Sequence, residues 1–444
     1  MDDLIRHPLA YARQLRGWSQ SELARQMRDA ARRRGLRAGT SRQRVSVWER
    51  RVVPDAFSQA LLGDVFDVPR EQITALGWPH WLPGHEIPVA LGAGLAVVVL
   101  RKALLMGVDR RTFLALAPAA VGSLALQWAT VEPAWAAGAT GGRAVDPAFV
   151  DRLEESARAL TGMPTALRQH AGPLLDGHLE TVVGLLERGG HPRALGVRLH
   201  TLASALAQTV AWHRFDHERH AAAHRHWHAA VHSAHEAGNT DLGAGALADL
   251  AYQSIWLGRP RAAVDCLGHA LSRTVSPTAR SLLLLRKARA HAMLGEARDC
   301  YRALARSEKL LHSTAEPAPG WCAWMSHADL AVDTGRCLID LGRPRRAHDH
   351  ITEGVGLLPD TRDKTKAVFL AYEAESLLAR GEVQQAADLA RRSLGLATRI
   401  GASRCVRQIR DLSGTFAAYG SEDGVGLLRH EVLQLFPQDI AMAT

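Results

Sequence analysis

The sequence has few of the residues that mark disulfide-rich, zinc-binding or secreted proteins. Its 444 residues include five cysteines, an odd number without a CxxC pair, which argues against a disulfide framework and a zinc finger. The start, Met1-Asp2-Asp3, lacks the basic and apolar segments of a secretion signal, so we expect a cytoplasmic protein. Glycine-rich phosphate loops, nucleophile elbows and metal-hydrolase spacings are absent. We therefore expect no enzymatic activity, no cofactor and no metal site.

Length and apolar content indicate a folded protein of two or three domains. Hydrophobic residues make up 47% of the 444 positions. Helical patterns alternate from about residue 146 onward, with no convincing strand. We predict an all-α chain with three parts: an N-terminal DNA-binding domain over 1–80, an apolar linker rich in small residues over 81–145, and a helical repeat domain over 146–444.

Positive charge is concentrated at the N-terminus. Residues 1–54 contain thirteen arginines against five acidic residues, a local charge of +8 out of a net +9 for the whole chain. Lysine occurs only five times in the chain, so an arginine-rich solvated surface is the alternative interpretation. A dense positive field favours a polyanionic partner, because neutralising phosphates releases counterions.

Two serine-led segments in this basic region predict a pair of short helices. Ser19 and Ser41 each precede a helical run and can cap it. The apolar positions that would pack the two helices together fall at helix spacing: Leu23, Ala24, Val45 and Trp48. Val47 is expected on the core side together with Trp48. The remaining face is rich in arginine and glutamine.

The segment from about residue 8 to 68 resembles the Cro/repressor-like helix-turn-helix of the xenobiotic response element type. The resemblance rests on Leu15, Ser19-Gln20, Leu23-Ala24, Ser41, Val45-Ser46, Trp48-Glu49-Arg50 and Pro54. It implies that the helix after Ser41 enters the major groove of double-stranded DNA as part of a homodimer. The DNA-binding candidates are Gln20 on a phosphate, Arg42, Gln43, Arg44 and Ser46 at base edges, and Arg50.

The connection between the two helices departs from the family pattern. It is about ten residues longer than usual, and Arg51 stands where the family has glycine after the Glu-Arg pair. The preceding helix is expected to continue to Arg34 before Gly35 and Gly39 break it. This arrangement would place Arg32, Arg33 and Arg34 beside the DNA backbone, or it would displace the recognition helix.

Two apolar runs lie in the linker. Residues 89–100 are too short to span a bilayer, whereas residues 112–131 form a twenty-residue stretch without charge. Small residues and proline dominate this stretch and make membrane insertion only weakly favourable. We expect a helical linker packed between domains, with a membrane tether as the less favoured alternative.

A recurring signature predicts helical hairpins in the C-terminal part. A turn glycine is followed by small residues five and twelve positions later, and the four glycines are 37, 47 and 39 residues apart. The copies are Gly258 with Ala263 and Ala270, Gly295 with Cys300 and Ser307, Gly342 with Ala347 and Gly354, and Gly381 with Ala386 and Ser393. The spacing resembles tetratricopeptide repeats. This resemblance implies an α-solenoid whose concave surface is lined by the first helix of each hairpin.

Positions six residues before each turn glycine would point into that groove. They are Tyr252, Arg289, Arg336 and Glu375. Two arginines and a tyrosine could hold a peptide backbone or a carboxylate, while ordinary salt-bridging residues of the array are the alternative.

A histidine-rich stretch lies at the start of the repeat region. Eight histidines fall between His213 and His235, several of them three or four residues apart. Such a stripe could chelate a metal or respond to pH near 6.5, but no cysteine or paired carboxylate completes a site. We expect a solvated helix face.

The order of parts resembles actinobacterial regulators and peptide-sensing repeat regulators of other Gram-positive bacteria. We predict a sequence-specific transcriptional regulator whose repeat domain binds a peptide, a small molecule or a protein. Two alternatives stay open: an interaction scaffold whose N-terminal unit does not bind specific DNA, and a membrane-tethered regulator.

Overall fold

A computed structural model describes most of the chain. The described residues are 8–36, 38–50, 52–66, 68, 70, 73–74, 78–79, 81–82, 91–105, 121–132, 144–163, 165–312, 317–420 and 422–436. Within these ranges the secondary structure is helical, and no strand is present, as the sequence predicts. Arg51 and residues 112–120, which figured in the predictions, lie outside the described part.

The N-terminal domain, residues 8–82, is a small helical unit with its own core. Its helices are α1 (Pro8–Leu15), α2 (Gln20–Arg33), α3 (Arg42–Trp48) and α4 (Ala56–Phe66). The predicted packing positions Leu23, Ala24, Val45 and Trp48 are all buried in one cluster. Leu61, Leu62 and Phe66 of α4 complete that cluster, so α2 packs against both α3 and α4.

Serine caps fix where α2 and α3 begin. The Ser19 hydroxyl accepts from the backbone N–H of Glu22 at 3.1 Å, and the Ser41 hydroxyl accepts from that of Arg44 at 3.3 Å. Each cap satisfies a donor that the first helical turn leaves unpaired.

Two helices of the predicted linker share the core of the repeat region. They are α5 (Leu95–Leu105) and α6, residues 121–130. Val99, Leu100, Leu124 and Trp128 are buried in the same cluster as the first repeats. Along the described ranges, no helix combines the length and the apolarity needed to cross a membrane.

The C-terminal part, here called the array, is a succession of antiparallel helices. They are α7 (Pro147–Thr161), α8 (Thr165–Arg168), α9 (Gly172–Arg188), α10 (Arg193–Asp216), α11 (His220–Glu236), α12 (Thr240–Trp256), α13 (Pro260–Arg273), α14 (Pro277–Met293), α15 (Ala297–His312), α16 (His327–Asp340), α17 (Pro344–Leu357), α18 (Asp363–Ala379), α19 (Val383–Arg399), α20 (Ser403–Thr415) and α21 (Asp423–Leu435). A single 3-10 turn, Ala417–Tyr419, precedes α21.

The predicted hairpin signature matches this succession. The four turn glycines, Gly258, Gly295, Gly342 and Gly381, have φ between 71° and 85°, a conformation that side chains with Cβ rarely adopt. The eight small residues of the signature are buried where the two helices of a hairpin meet. At Gly354, a Cβ would lie 2.7 Å from the carbonyl oxygen of Ala328 on α16. Small residues at these positions therefore allow the two helices to approach closely.

The array turns back on itself. Helix α20, near the C-terminal end of the array, packs against α10, near the start of the array. The first helices of the hairpins consequently surround a central cavity.

Candidate functional sites

The first site is the exposed surface of α3. Arg42, Gln43 and Arg44, in the first turn after the Ser41 cap, are exposed, as is Arg50 just beyond the helix; Ser46 is half-buried. Within the described part of the chain, these four long side chains form no hydrogen bond or ion pair with another residue. Val47 is 46% exposed, so its expected core position is wrong, because Val45 and Trp48 already fill the face that meets α2.

Gln20 is held by a buried carboxylate at the far end of α3. Its amide Nε2 donates to Glu49 Oε2 at 2.7 Å, and Arg13 Nε donates to the other oxygen of Glu49 at 2.7 Å. Arg13 also donates to the carbonyl of Trp18 at 2.6 Å. This network fixes the start of α2 against the end of α3, which gives Gln20 and Glu49 a positioning role within the domain.

Both ends of the long connection between α2 and α3 are bonded to the helices of the domain. Helix α2 ends at Arg33, one residue before the predicted end at Arg34, which is its C-cap, and Gly35 follows with φ of 70°. Arg28 donates to the carbonyl of Thr40 at 2.6 Å, and Arg34 pairs with Asp64 of α4. Of the arginines expected beside the DNA backbone, Arg34 is thus engaged with α4, and Arg32 pairs with Asp29 of α2 at 2.7 Å.

The second site is the central cavity, with a volume of about 870 Å³. Its walls are the C-terminal halves of α12, α14, α16, α18 and α20, together with the connection from α10 to α11. All four predicted groove residues line it: Tyr252, Arg289, Arg336 and Glu375. One residue from each of four consecutive repeats therefore lines the same cavity.

Both predicted arginines are already paired with carboxylates of the chain. Arg289 Nη1 lies 2.6 Å from Asp333 Oδ1, while Arg336 bonds Asp340 at 2.8 Å and also pairs with Glu375. Their guanidiniums lie 5.5 and 5.1 Å from the ring centre of Tyr372, within cation–π range.

Ion pairing and burial together set the protonation states of Arg336 and Tyr372 in the cavity wall. Burial disfavours the charge on Arg336, but the carboxylates of Glu375 and Asp340 outweigh it and raise its pKa. Burial raises the pKa of the Tyr372 hydroxyl, which stays neutral. The walls thus present fixed charges of both signs around aromatic rings.

Arg404 was missed by the sequence analysis, although it closes the array. It is 2% exposed, and its guanidinium lies 4.6 Å from the ring centre of Trp256 and 4.8 Å from that of Phe215. Its Nε is 3.4 Å from Asp216, which also accepts from Lys364 at 2.6 Å. Arg404 and Asp216 are 188 residues apart, so repeat spacing could not have revealed the contact.

None of the eight histidines of the histidine-rich stretch is exposed, four being buried and four half-buried, so the expected solvated face is wrong. His224, His226, His232 and His235 are at most 4% exposed, because α11 is packed between α10, α12 and α5. Among described residues, the metal-compatible group of ligand atoms is elsewhere, at His291, Glu296 and Asp299. There Arg261 and Arg302 already neutralise the two carboxylates.

A family model described as the SP15 N-terminal domain matches residues 9–68. Among solved structures, the chain is similar to a Rap protein crystallised in complex with Competence and Sporulation Factor. Identity is 10%, the match covers 72% of this chain and 98% of that chain, and the TM-score is 0.40. No curated protein sequence matches.

Proposed function

We propose that this chain is a cytoplasmic, sequence-specific DNA-binding regulator of transcription that acts as a homodimer. The single observation that carries the proposal is the first turn of α3, where the side chains of Arg42, Gln43 and Arg44 are exposed and form no hydrogen bond with other described residues. They belong to a segment with a net charge of +8.

The chemistry of these side chains suits base recognition. Arginine can bind guanine through two hydrogen bonds, and glutamine can do the same with adenine. The Ser41 cap and the Glu49 network hold α3 against the domain core, so the three side chains project from a fixed support. Exposed arginines elsewhere in the domain would add affinity that is independent of sequence and sensitive to salt.

We further propose that the central cavity binds the effector, a peptide, a small molecule or a segment of a partner protein. We assign the cavity no catalytic role. Four repeats contribute to its lining, so an occupant would contact several hairpins at once. An effector that binds the closed array but not an opened array would stabilise the closed array by mass action.

The test of DNA recognition combines genome-wide DNA capture with gel shifts on the captured site. Replacing Arg42, Gln43 and Arg44 together by alanine is expected to abolish sequence preference, because each bidentate pair with a base contributes about 1–3 kcal/mol of discrimination. The matched control removes two exposed arginines of α17, Arg345→Ala with Arg346→Ala, and is expected to keep the preference.

Two outcomes would count against the proposal. If the triple variant retains the wild-type sequence preference at equal salt, α3 is not the reading element. If the wild-type protein shows no preference that survives raised salt, the interaction scaffold becomes the better interpretation.

A further inference from the structure

Helix α5 connects the N-terminal domain to the array and is held on the array's surface. It packs against α11 and α9, with Val99, Leu100 and Ala103 buried. Two charged groups at opposite ends of this contact, Glu236 and Lys102, set how firmly the helix is held.

Glu236, in the last turn of α11, caps the N-terminus of α5. Its Oε1 accepts from the backbone N–H of Ala96 at 3.0 Å, and its carboxylate also accepts from those of Gly94 and Leu95. A carboxylate at this end complements the helix dipole and satisfies donors that the first turn leaves unpaired. Burial raises the pKa of Glu236, and His200 Nε2 lies 3.8 Å from its second oxygen.

Lys102, two turns further along α5, is in the opposite situation. It is 6% exposed, and its Nζ has no hydrogen-bond partner within the described residues. It lies close enough to His228 for its charge to depress the imidazole's pKa. The rings of His224, His228 and His232 follow one another along α11 at centre distances of 6.2 and 5.2 Å.

No described carboxylate neutralises Lys102. The acidic groups of α9 that face α5 are Glu187 and Glu180, and both interact with the neighbouring Arg101, with Glu187 Oε1 at 2.8 Å from its Nε. Glu236 is engaged with the helix N-terminus. Lys102 therefore lies buried near the imidazole of His228 in an apolar contact, and a charged ammonium there is costly.

We propose that α5 is a proton-controlled latch, which holds the connecting segment on the array while the Lys102 amine is neutral and loosens when this amine takes up a proton. The same helix that holds the latch, α11, contributes His220 and Arg225 to the lining of the central cavity. Helix α11 thus joins the surface on which α5 is held to the wall of the central cavity.

The sign of the pH dependence follows from burial. Burial lowers the pKa of Lys102 from 10.5 to about 7. Between these values the docked amine is neutral and the released amine is charged, so docking releases a proton and tightens as the pH rises. His228, whose pKa burial also lowers, acts in the same direction but below its ordinary value of 6.5. Glu236, whose pKa burial raises, acts in the opposite direction.

The pH range from 7 to 8 suits Lys102, because it lies between the pKa of the docked amine, about 7, and the 10.5 of the released amine, whereas burial moves the pKa of His228 below 6.5. Hydrogen exchange of the full chain, corrected for intrinsic exchange rates, measures opening of α5. Protection of the 96–105 amides is expected to rise about fivefold from pH 7 to pH 8. Amides of α18 serve as the reference for global opening.

Three variants decide the proposal. Lys102→Met is expected to remove the pH dependence and to give, at pH 7, at least the protection that the wild type has at pH 8. Glu236→Gln is expected to lower protection at both pH values and keep the dependence. Lys309→Met, a control at an exposed lysine of α15, is expected to behave as wild type.

A wild-type α5 whose protection is unchanged from pH 7 to pH 8 would overturn the latch. So would a Lys102→Met variant that retains the rise, provided that α18 shows native protection. Both readouts are independent of DNA binding, so they stand whether or not the proposed regulatory function is correct.

Discussion

Arginine has different partners in the N-terminal domain and in the array. On α3, Arg42 and Arg44 are exposed and form no ion pair with another described residue. In the array, Arg286, Arg289 and Arg404 have buried side chains that bond carboxylates and lie over aromatic rings. The same residue type thus forms an outward positive field in one region and an internal scaffold in the other.

Sequence separation explains the difference. Several of the array's ion pairs join neighbouring repeats: Arg286 with Asp249, and Arg336 with Glu375, are 37 and 39 residues apart. These separations are close to the repeat length, so Asp249 and Glu375, each on a first helix, meet an arginine of the adjacent first helix. The N-terminal domain has no repeat to supply such partners, and its excess arginines stay available for a polyanion.

The largest expected effect is at Arg404. Replacing Arg404 by methionine leaves Asp216 with Lys364 as its remaining ion-pair partner and removes a guanidinium packed between Trp256 and Phe215. We expect the free energy of unfolding to fall by about 3–5 kcal/mol, as for other broken buried pairs. Chemical denaturation followed by tryptophan fluorescence measures it.

Arg407 is the matched control one turn later on α20. Its side chain is 42% exposed and pairs with Glu218 at 3.2 Å, so Arg407→Met is expected to cost less than about 1 kcal/mol. If Arg404→Met and Arg407→Met lower the free energy of unfolding equally, the buried arginine that closes the array stabilises it no more than an exposed one does.

A smaller effect is expected where helices of the array approach most closely. In Gly354→Ala, the added Cβ would meet Val332 N at 2.9 Å and Ala328 O at 2.7 Å, backbone atoms that cannot move aside cheaply. We expect the free energy of unfolding to fall by about 1–3 kcal/mol from overpacking, measured by the same denaturation.

At Gly356, on the same helix, an added Cβ would meet no other atom of the described residues within 4 Å. Gly356→Ala is therefore expected to be neutral or to stabilise by up to about 1 kcal/mol, since alanine is the better helix former. A Gly354→Ala variant as stable as Gly356→Ala would contradict the close approach.

Local rules made much of the fold predictable. The turn glycines, the small residues behind them and the caps at Ser19 and Ser41 each depend on conformational preferences within a few residues. The repeat period then placed Arg289 and Arg336 on the same wall, because residues one repeat apart occupy equivalent positions.

Long-range packing could not be predicted in the same way. The contact of Arg404 with Asp216 depends on how far the array turns over 188 residues, which no local pattern encodes. The histidines of α11 are buried partly because α5 folds back onto them from the preceding segment. Likewise, the exposure of Val47 depends on which face of α3 meets α2.

The smallest expected effect is at Arg44. Its exposed side chain forms no hydrogen bond or ion pair within the described residues, so Arg44→Ala is expected to change the stability of the N-terminal domain by less than about 0.5 kcal/mol. Hydrogen exchange of α2 and α3 in the full chain measures it, with Ser41→Ala as the comparison. Removal of that cap is expected to cost about 1 kcal/mol, because it leaves the N–H of Arg44 unpaired. If Arg44→Ala destabilised the domain more than Ser41→Ala, the arginines of α3 would be structural, and the contrast with the array would fail.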